Sequence, residues 1–226
     1  CPDEAETYEK RADLLYRIGE YDLSDKDYKT SIEKANGNYL AYMGLGRNAM
    51  EQNKYDAAIE YFNYVEKLVK DYSSVYSFRG ECYFSKKEYI KAIDDVIKAL
   101  SIDGDDKAFY LMVELSKHAK TELITKLKVE LTKSKDSSFW PFCIGVAYET
   151  TDNYKEAISY YIKSNDIENS PDVTYRIGRC FEDMGEYEKA LDYINFTLQI
   201  DSTDNSFVFT KADLLYEIGK TNEAIS

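Results

Sequence analysis

The sequence predicts an all-α protein built as a solenoid of antiparallel helix pairs. Three observations carry this. A short phrase recurs along the chain: GEYDLSD at 19–25, NKYDAAI at 53–59, KEYIKAI at 87–93, DNYKEAI at 152–158, GEYEKAL at 185–191 and GKTNEAI at 219–225. Its spacing is regular. Tyr21, Tyr55 and Tyr89 stand 34 residues apart, Tyr187 follows Tyr154 by 33, and Thr221 follows Tyr187 by 34; a fixed period of this size marks stacked helical repeats. Each period also divides into two apolar stripes of helical spacing.

Aligned on the phrase, the repeats run about 5–38, 39–72, 73–106, a degenerate 107–137, 138–170, 171–204 and a partial 205–226, one array over the whole chain. The third repeat shows the pattern. Tyr76, Arg79, Gly80, Tyr83 and Phe84 share one face of a first helix, and KKEY makes the turn. Ala92, Ile93, Val96, Ile97, Ala99 and Leu100 then form the stripe of a second helix, and DGDD closes the unit as a polar loop. The gap of 65 residues between Tyr89 and Tyr154 is close to two periods, so one decayed repeat is expected inside it, the alternative being a linker that breaks the array into two blocks. The last repeat stops within its second helix. Its apolar face would lack the polar cap that ends such arrays, which predicts a chain continuing beyond Ser226.

Small residues fall at one place in each first helix: Ala12, Gly46, Gly80, Gly145, Gly178 and Ala212. Twelve positions later stand Ser24, Ala58, Ala92, Ala157, Ala190 and Ala224. Paired small residues predict close helix approach. The repeated Tyr is expected to pack between the two helices with its hydroxyl at the polar edge.

Composition narrows the function. Apolar residues make up 44% and charged residues 31%, as in a soluble folded protein. A net charge of −13 argues against nucleic acid and against an anionic membrane surface. The longest apolar run, FWPFCIGVAY at 139–148, is too short to span a bilayer. The chain starts at Cys1 rather than Met, which fits either an arbitrary boundary or a processed bacterial lipoprotein. Its place is therefore read as the bacterial cytoplasm or the cell envelope, the compartment staying open. Cys82, Cys143 and Cys180 form no CxxC pair.

No set of residues suggests catalysis, a cofactor or a metal. His118 is the only His, so paired-His ligation is excluded. No phosphate-binding glycine loop is present, and DGDD at 103–106 lacks the alternating ligands of a calcium loop. The chain is read as non-enzymatic.

The repeat resembles the tetratricopeptide repeat (TPR) family. Residues 39–72 carry its marks in Tyr42, Leu45, Gly46, Asn53–Lys54–Tyr55, Ala58 and Phe62. Residues 171–204 carry them in Ile177, Gly178, Phe181, Gly185–Glu186–Tyr187 and Ala190. The usual Pro near the end of each unit is mostly absent, and 107–137 has lost the turn phrase. The resemblance implies a right-handed superhelical solenoid whose first helices line a concave groove that holds a protein or peptide segment.

On that face the inward positions offer Glu9, Asp13 and Tyr16 in the first repeat and an apolar middle beyond it. The candidate groove residues are Met43, Arg47, Met50, Phe78, Phe84, Leu115, Phe139, Phe142, Val146, Tyr175, Arg176 and Arg179. Met and aromatics suit an apolar or aromatic segment. Arg176 and Arg179 suit an acidic group on it. Family members that hold acidic chaperone tails use Lys and Asn where this chain has Glu9 and Asp13, so such a tail is not expected. Two other readings stay open: a recognition domain of a longer enzyme or signalling protein, and a homo-oligomer formed through the open array ends.

Overall fold

The computed structural model describes residues 2–224; Cys1, the candidate lipid attachment point, and Ser226 lie outside them. Among the described residues all regular structure is helical. The chain divides into two compact units, Cys1–Ala119 and Lys120–Ser226. The first holds α1 (Pro2–Arg17), α2 (Tyr21–Lys34), α3 (Tyr39–Glu51), α4 (Tyr55–Leu68), α5 (Ser73–Ser85) and α6 (Tyr89–Asp103). A long helix, α7 (Asp106–Lys133), crosses the division. The second holds α8 (Phe139–Glu149), α9 (Tyr154–Ile167), α10 (Pro171–Asp183), α11 (Tyr187–Ile200), α12 (Asn205–Glu217) and the short α13 (Thr221–Ala224). Within each unit, consecutive helices pack as pairs and each pair packs on the next.

The recurring phrase is a helix stop. Its first residue has a positive φ every time: Gly19 (82°), Asn53 (59°), Lys87 (62°), Asp152 (58°), Gly185 (72°) and Gly219 (78°). At the first turn, Gly19 N–H donates to the Tyr16 carbonyl at 3.0 Å and Glu20 N–H donates to the Leu15 carbonyl at 2.9 Å. The same two bonds recur at the other five turns. This is the Schellman arrangement, in which one left-handed residue lets the last carbonyls of a helix find donors. Gly, Asn and Asp adopt that conformation readily, whereas Lys87 carries a Cβ into it at a cost. Lys87→Gly is therefore expected to stabilise the protein by about 1 kcal/mol, and Asn53→Gly by less. Urea midpoints of both variants check this.

The repeated Tyr departs from expectation. Tyr21, Tyr55, Tyr89, Tyr154 and Tyr187 are only half-buried, because each opens its helix beside the exposed turn. Tyr55 and Tyr154 instead donate to the turn residue two positions back, Asn53 at 2.7 Å and Asp152 at 2.8 Å. The core position is seven residues further on, two turns along the same face. Tyr28, Phe62, Val96, Tyr161 and Ile194 stand there, all fully enclosed. Burying such a side chain contributes about 2 kcal/mol.

These side chains are what several small residues admit. A Cβ added at Gly46 would lie 2.4 Å from the Phe62 ring, and one at Gly145 would lie 2.6 Å from the Tyr161 ring. The expected approach to the second-helix alanine is seen at Gly80, where a Cβ would meet the Ala92 carbonyl at 3.5 Å. In the first repeat Ser24 takes the alanine's place, and its hydroxyl donates to the Ala12 carbonyl at 2.9 Å.

The stretch 107–137 has no such turn. The backbone of α7 leaves the helical region at Ala119 alone (φ −146°, ψ 48°), where the first unit ends. Leu111, Met112 and Leu115 before it, and Leu123, Ile124 and Leu127 after it, are buried.

Candidate partner-binding surface

Each unit contains a cavity lined mainly by first helices. In the first unit a cavity of about 190 Å³ is bordered by Glu9 and Asp13 of α1, Met43 and Arg47 of α3, and Phe78 of α5. In the second unit Phe142 and Glu149 of α8 face Asp172, Tyr175, Arg176, Arg179 and Asp183 of α10 around about 540 Å³. The α10 residues recur at helical spacing and so share one side of the helix. An adjoining cavity of about 370 Å³ shares Phe142 and Asp172 and adds Phe139, Ser164 and Glu168.

One polar arrangement is built twice. In the first unit the buried Tyr28 donates to Asp13 Oδ1 at 2.6 Å, and Arg47 Nη2 donates to the same oxygen at 3.0 Å. The Arg47 guanidinium lies 4.8 Å from the centre of the Tyr16 ring. In the second unit the buried Tyr161 donates to Glu149 Oε2, and Arg176 Nη1 donates to that oxygen at 2.9 Å. The Arg176 guanidinium lies 5.6 Å from the Phe142 ring. Burial, then the neighbouring carboxylate, pushes both phenols well above their ordinary range. They therefore remain donors at any physiological pH. Each carboxylate is held from inside by a phenol and from outside by a guanidinium stacked on an aromatic ring. Arg179 pairs with Glu182 at 3.0 Å, and burial pushes the Glu182 carboxyl above its ordinary value.

The expected groove residues divide into groups. Arg47 and Phe78, with the edge of Met43, border the first cavity; Phe142, Tyr175, Arg176 and Arg179 border the second, and Phe139 the adjoining one. Leu115 and Val146 are corrected: each is less than a tenth exposed and lines none of these cavities, so its side chain packs between helices. Met43 is as buried but keeps its edge on the first cavity. Helical spacing names a stripe but not its width, and neighbouring helices cover the edge of this one. Met50 is half-buried. Phe84 is half-buried against Tyr89 and His118, with ring centres 5.7 and 5.5 Å away. Asp172 and Asp183 were missed, although their spacing from Arg176 and Arg179 was available as the signal.

Cys82, Cys143 and Cys180 are free and buried. Burial pushes the Cys82 and Cys180 thiols up to about 12. No helix of the described residues is long and apolar enough to cross a membrane.

Comparison with known proteins agrees with this architecture. Family models described as tetratricopeptide repeat match residues 9–72, 43–107, 144–171 and 172–195. The chain is 25% identical over 185 residues to the TPR repeat-containing protein MJ1428 of Methanocaldococcus jannaschii, covering 80% of this chain and 27% of that protein. It is 27% identical over 122 residues to the photosystem I assembly protein Ycf3 of Acaryochloris marina, covering 52% of this chain and 68% of that protein. The chain thus spans about a quarter of the first relative's length. Among solved structures it is similar to the TPR2AB domain of yeast Sti1 in complex with pHSP90, with a TM-score of 0.50 and 13% identity over 99% of this chain and 88% of that one. It is also similar to the first TPR of Spaghetti (RPAP3) bound to the HSP90 peptide SRMEEVD, with a TM-score of 0.50 and 18% identity over 52% and 94%. At these identities the structural likeness concerns the fold. The repeat period, the Schellman turns, the small-residue positions and the matched residues lead to one conclusion: the chain belongs to the tetratricopeptide repeat family.

Proposed function

We propose that the chain is a non-enzymatic protein-interaction scaffold that seats a partner segment on the first-helix surface of its second unit. The family is one of interaction modules, and its members Sti1 and RPAP3 are seen with HSP90 or an HSP90 peptide. The observation that carries the site is the pair of adjoining cavities joined at Phe142 and Asp172, walled by Phe139, Phe142 and Tyr175. Aromatic walls with a few placed polar groups are the usual make-up of a recognition pocket. The acidic chaperone tail is disfavoured, since Glu9 and Asp13 border the first cavity where that ligand needs cations.

The test is direct. Partner recovered by the intact chain is titrated against Tyr175→Ala and Phe142→Asp, with circular dichroism as the control for folding. Either change is expected to weaken binding by at least about tenfold, the loss typical of a central aromatic contact. Unchanged affinity in both would remove the second-unit surface as the site.

A further inference from the structure

The chemistry of the partner can be taken one step further, on the reading that the second-unit cavities are its seat. Arg176 and Arg179 suggest an acidic ligand, but each guanidinium already has one carboxylate partner. Arg176 is paired to Glu149 and Arg179 to Glu182. An incoming carboxylate would share each guanidinium with a carboxylate already in place, one of them also fixed by the buried Tyr161. What remains uncompensated on the cavity walls is negative. Asp172 and Asp183, both exposed, stand at the two ends of the α10 stripe; among the described residues neither has an ion-pair or hydrogen-bond partner, and only Asp172, in the first turn, is offset by the helix dipole. The adjoining cavity adds Glu168 and no cation.

The position of Asp183 is informative. It ends α10, where the helix dipole disfavours a negative charge, and it follows Glu182 directly. Helix stability does not explain it. Burial pushes the Glu182 carboxyl above its ordinary value and Arg179 pulls it back, while Asp183, Asp213 and Glu217 add smaller upward pushes, so three further carboxylates stand near this rim. A cation laid against that rim relieves the repulsion. The aromatic walls between the two aspartates suit the apolar stem of a lysine or arginine, or an aromatic side chain beside it.

We propose that the cavities between α8 and α10 hold a basic, aromatic-containing segment, with cationic side chains at Asp172 and Asp183 and apolar ones against Phe139, Phe142 and Tyr175. The two aspartates stand eleven positions apart on the helix, about 16 Å along its axis. An extended segment of about five residues spans that distance.

Two capped hexapeptides test this on the whole chain: one alternating lysine with phenylalanine, the other alternating glutamate with phenylalanine. Binding is followed by amide NMR shifts and by calorimetry. The basic peptide is expected to shift α8 and α10 resonances and to bind at least about fivefold more tightly than the acidic one, with the gap narrowing as salt rises. Asp172→Asn and Asp183→Asn lie on the exposed surface and should each weaken it. Asp183→Asn should at the same time raise the thermal midpoint slightly, a split that a merely structural aspartate would not give. Equal or tighter binding of the acidic peptide at α8 and α10 overturns the charge assignment and leaves the surface intact as a binding site. Basic-peptide binding that ignores both substitutions also overturns it. If neither peptide shifts α8 or α10, this proposal and the second-unit reading fall together.

Discussion

Replacing Asp95 with Ala is expected to destabilise the first unit by about 3 kcal/mol. Asp95 lies on α6, with its side chain only 8% exposed, opposite Arg79 of α5 at 9%. Arg79 Nε and Nη2 donate to the two carboxylate oxygens at 2.8 and 2.7 Å, a parallel pair of charge-assisted bonds. Its Nη1 donates to Asn63 at 2.7 Å and also to Glu66 on the preceding helix pair. One side chain thus ties two repeats together. Removing Asp95 leaves a buried cation with half its acceptors gone. Glu66 keeps a share, which holds the effect at the low end of the range for broken buried pairs. The urea midpoint measures it, and a wild-type midpoint would mean that water replaces the lost carboxylate. The double change Arg79→Met with Asp95→Leu should recover most of the loss, since it leaves no charge inside.

The same pair gives a pH dependence. Burial raises the Asp95 carboxyl, the bond and charge of Arg79 pull it down, and the net position is above the ordinary value. A raised folded pKa means the folded state holds that proton more tightly than the unfolded chain. Its contribution is therefore most favourable at acid pH and is lost as pH rises through the folded pKa. Arg79→Met removes the downward pull. Its stability deficit should be full at neutral pH and shrink as the solution is acidified, which unfolding curves at a series of pH values would show.

Particular residues show what was legible in the sequence. The turn phrase was readable because its chemistry is local: a left-handed residue followed by its tyrosine needs no distant partner. The helix pairs and their small residues were readable for the same reason. The inside of each pair was less so. Arg79 finds Asp95, Gly46 finds Phe62 and Gly145 finds Tyr161, all across a turn at a separation of 16 residues. Once that offset is known, Arg11 with Asp27 follows the same rule. The break at Ala119 had no sequence mark, since neither Gly nor Pro stands there. For the binding surface the sequence shows which residues recur on one stripe but not how all their charges are paired. Glu149 reaches Arg176 from another helix, which only the fold brings near, whereas Glu182 pairs with Arg179 at i, i+3 and was legible as a helical pair.

Tyr161→Ala is expected to cost about 4 kcal/mol, the largest effect of a single change in the second unit. The ring is completely enclosed and fills the space that Gly145 leaves open on α8. Its hydroxyl is the inner anchor of Glu149, which in turn holds Arg176 at the cavity. Tyr161→Phe separates the two roles. It keeps the ring and removes the anchor, so stability should fall by about 1 kcal/mol, while Arg176 gains freedom and ligand binding at the second unit weakens. The converse change isolates the packing. Gly145→Ala forces a methyl against the ring and should cost about 1–3 kcal/mol in the wild type. In the Tyr161→Ala background the ring is absent, and the same methyl should instead fill part of the cavity. The two changes lie in direct contact, so their free energies should be coupled rather than additive. A double variant as unstable as the sum of the two would mean that the Tyr161 ring does not occupy the Gly145 gap, and the support of Glu149 would then have to come from elsewhere in α9.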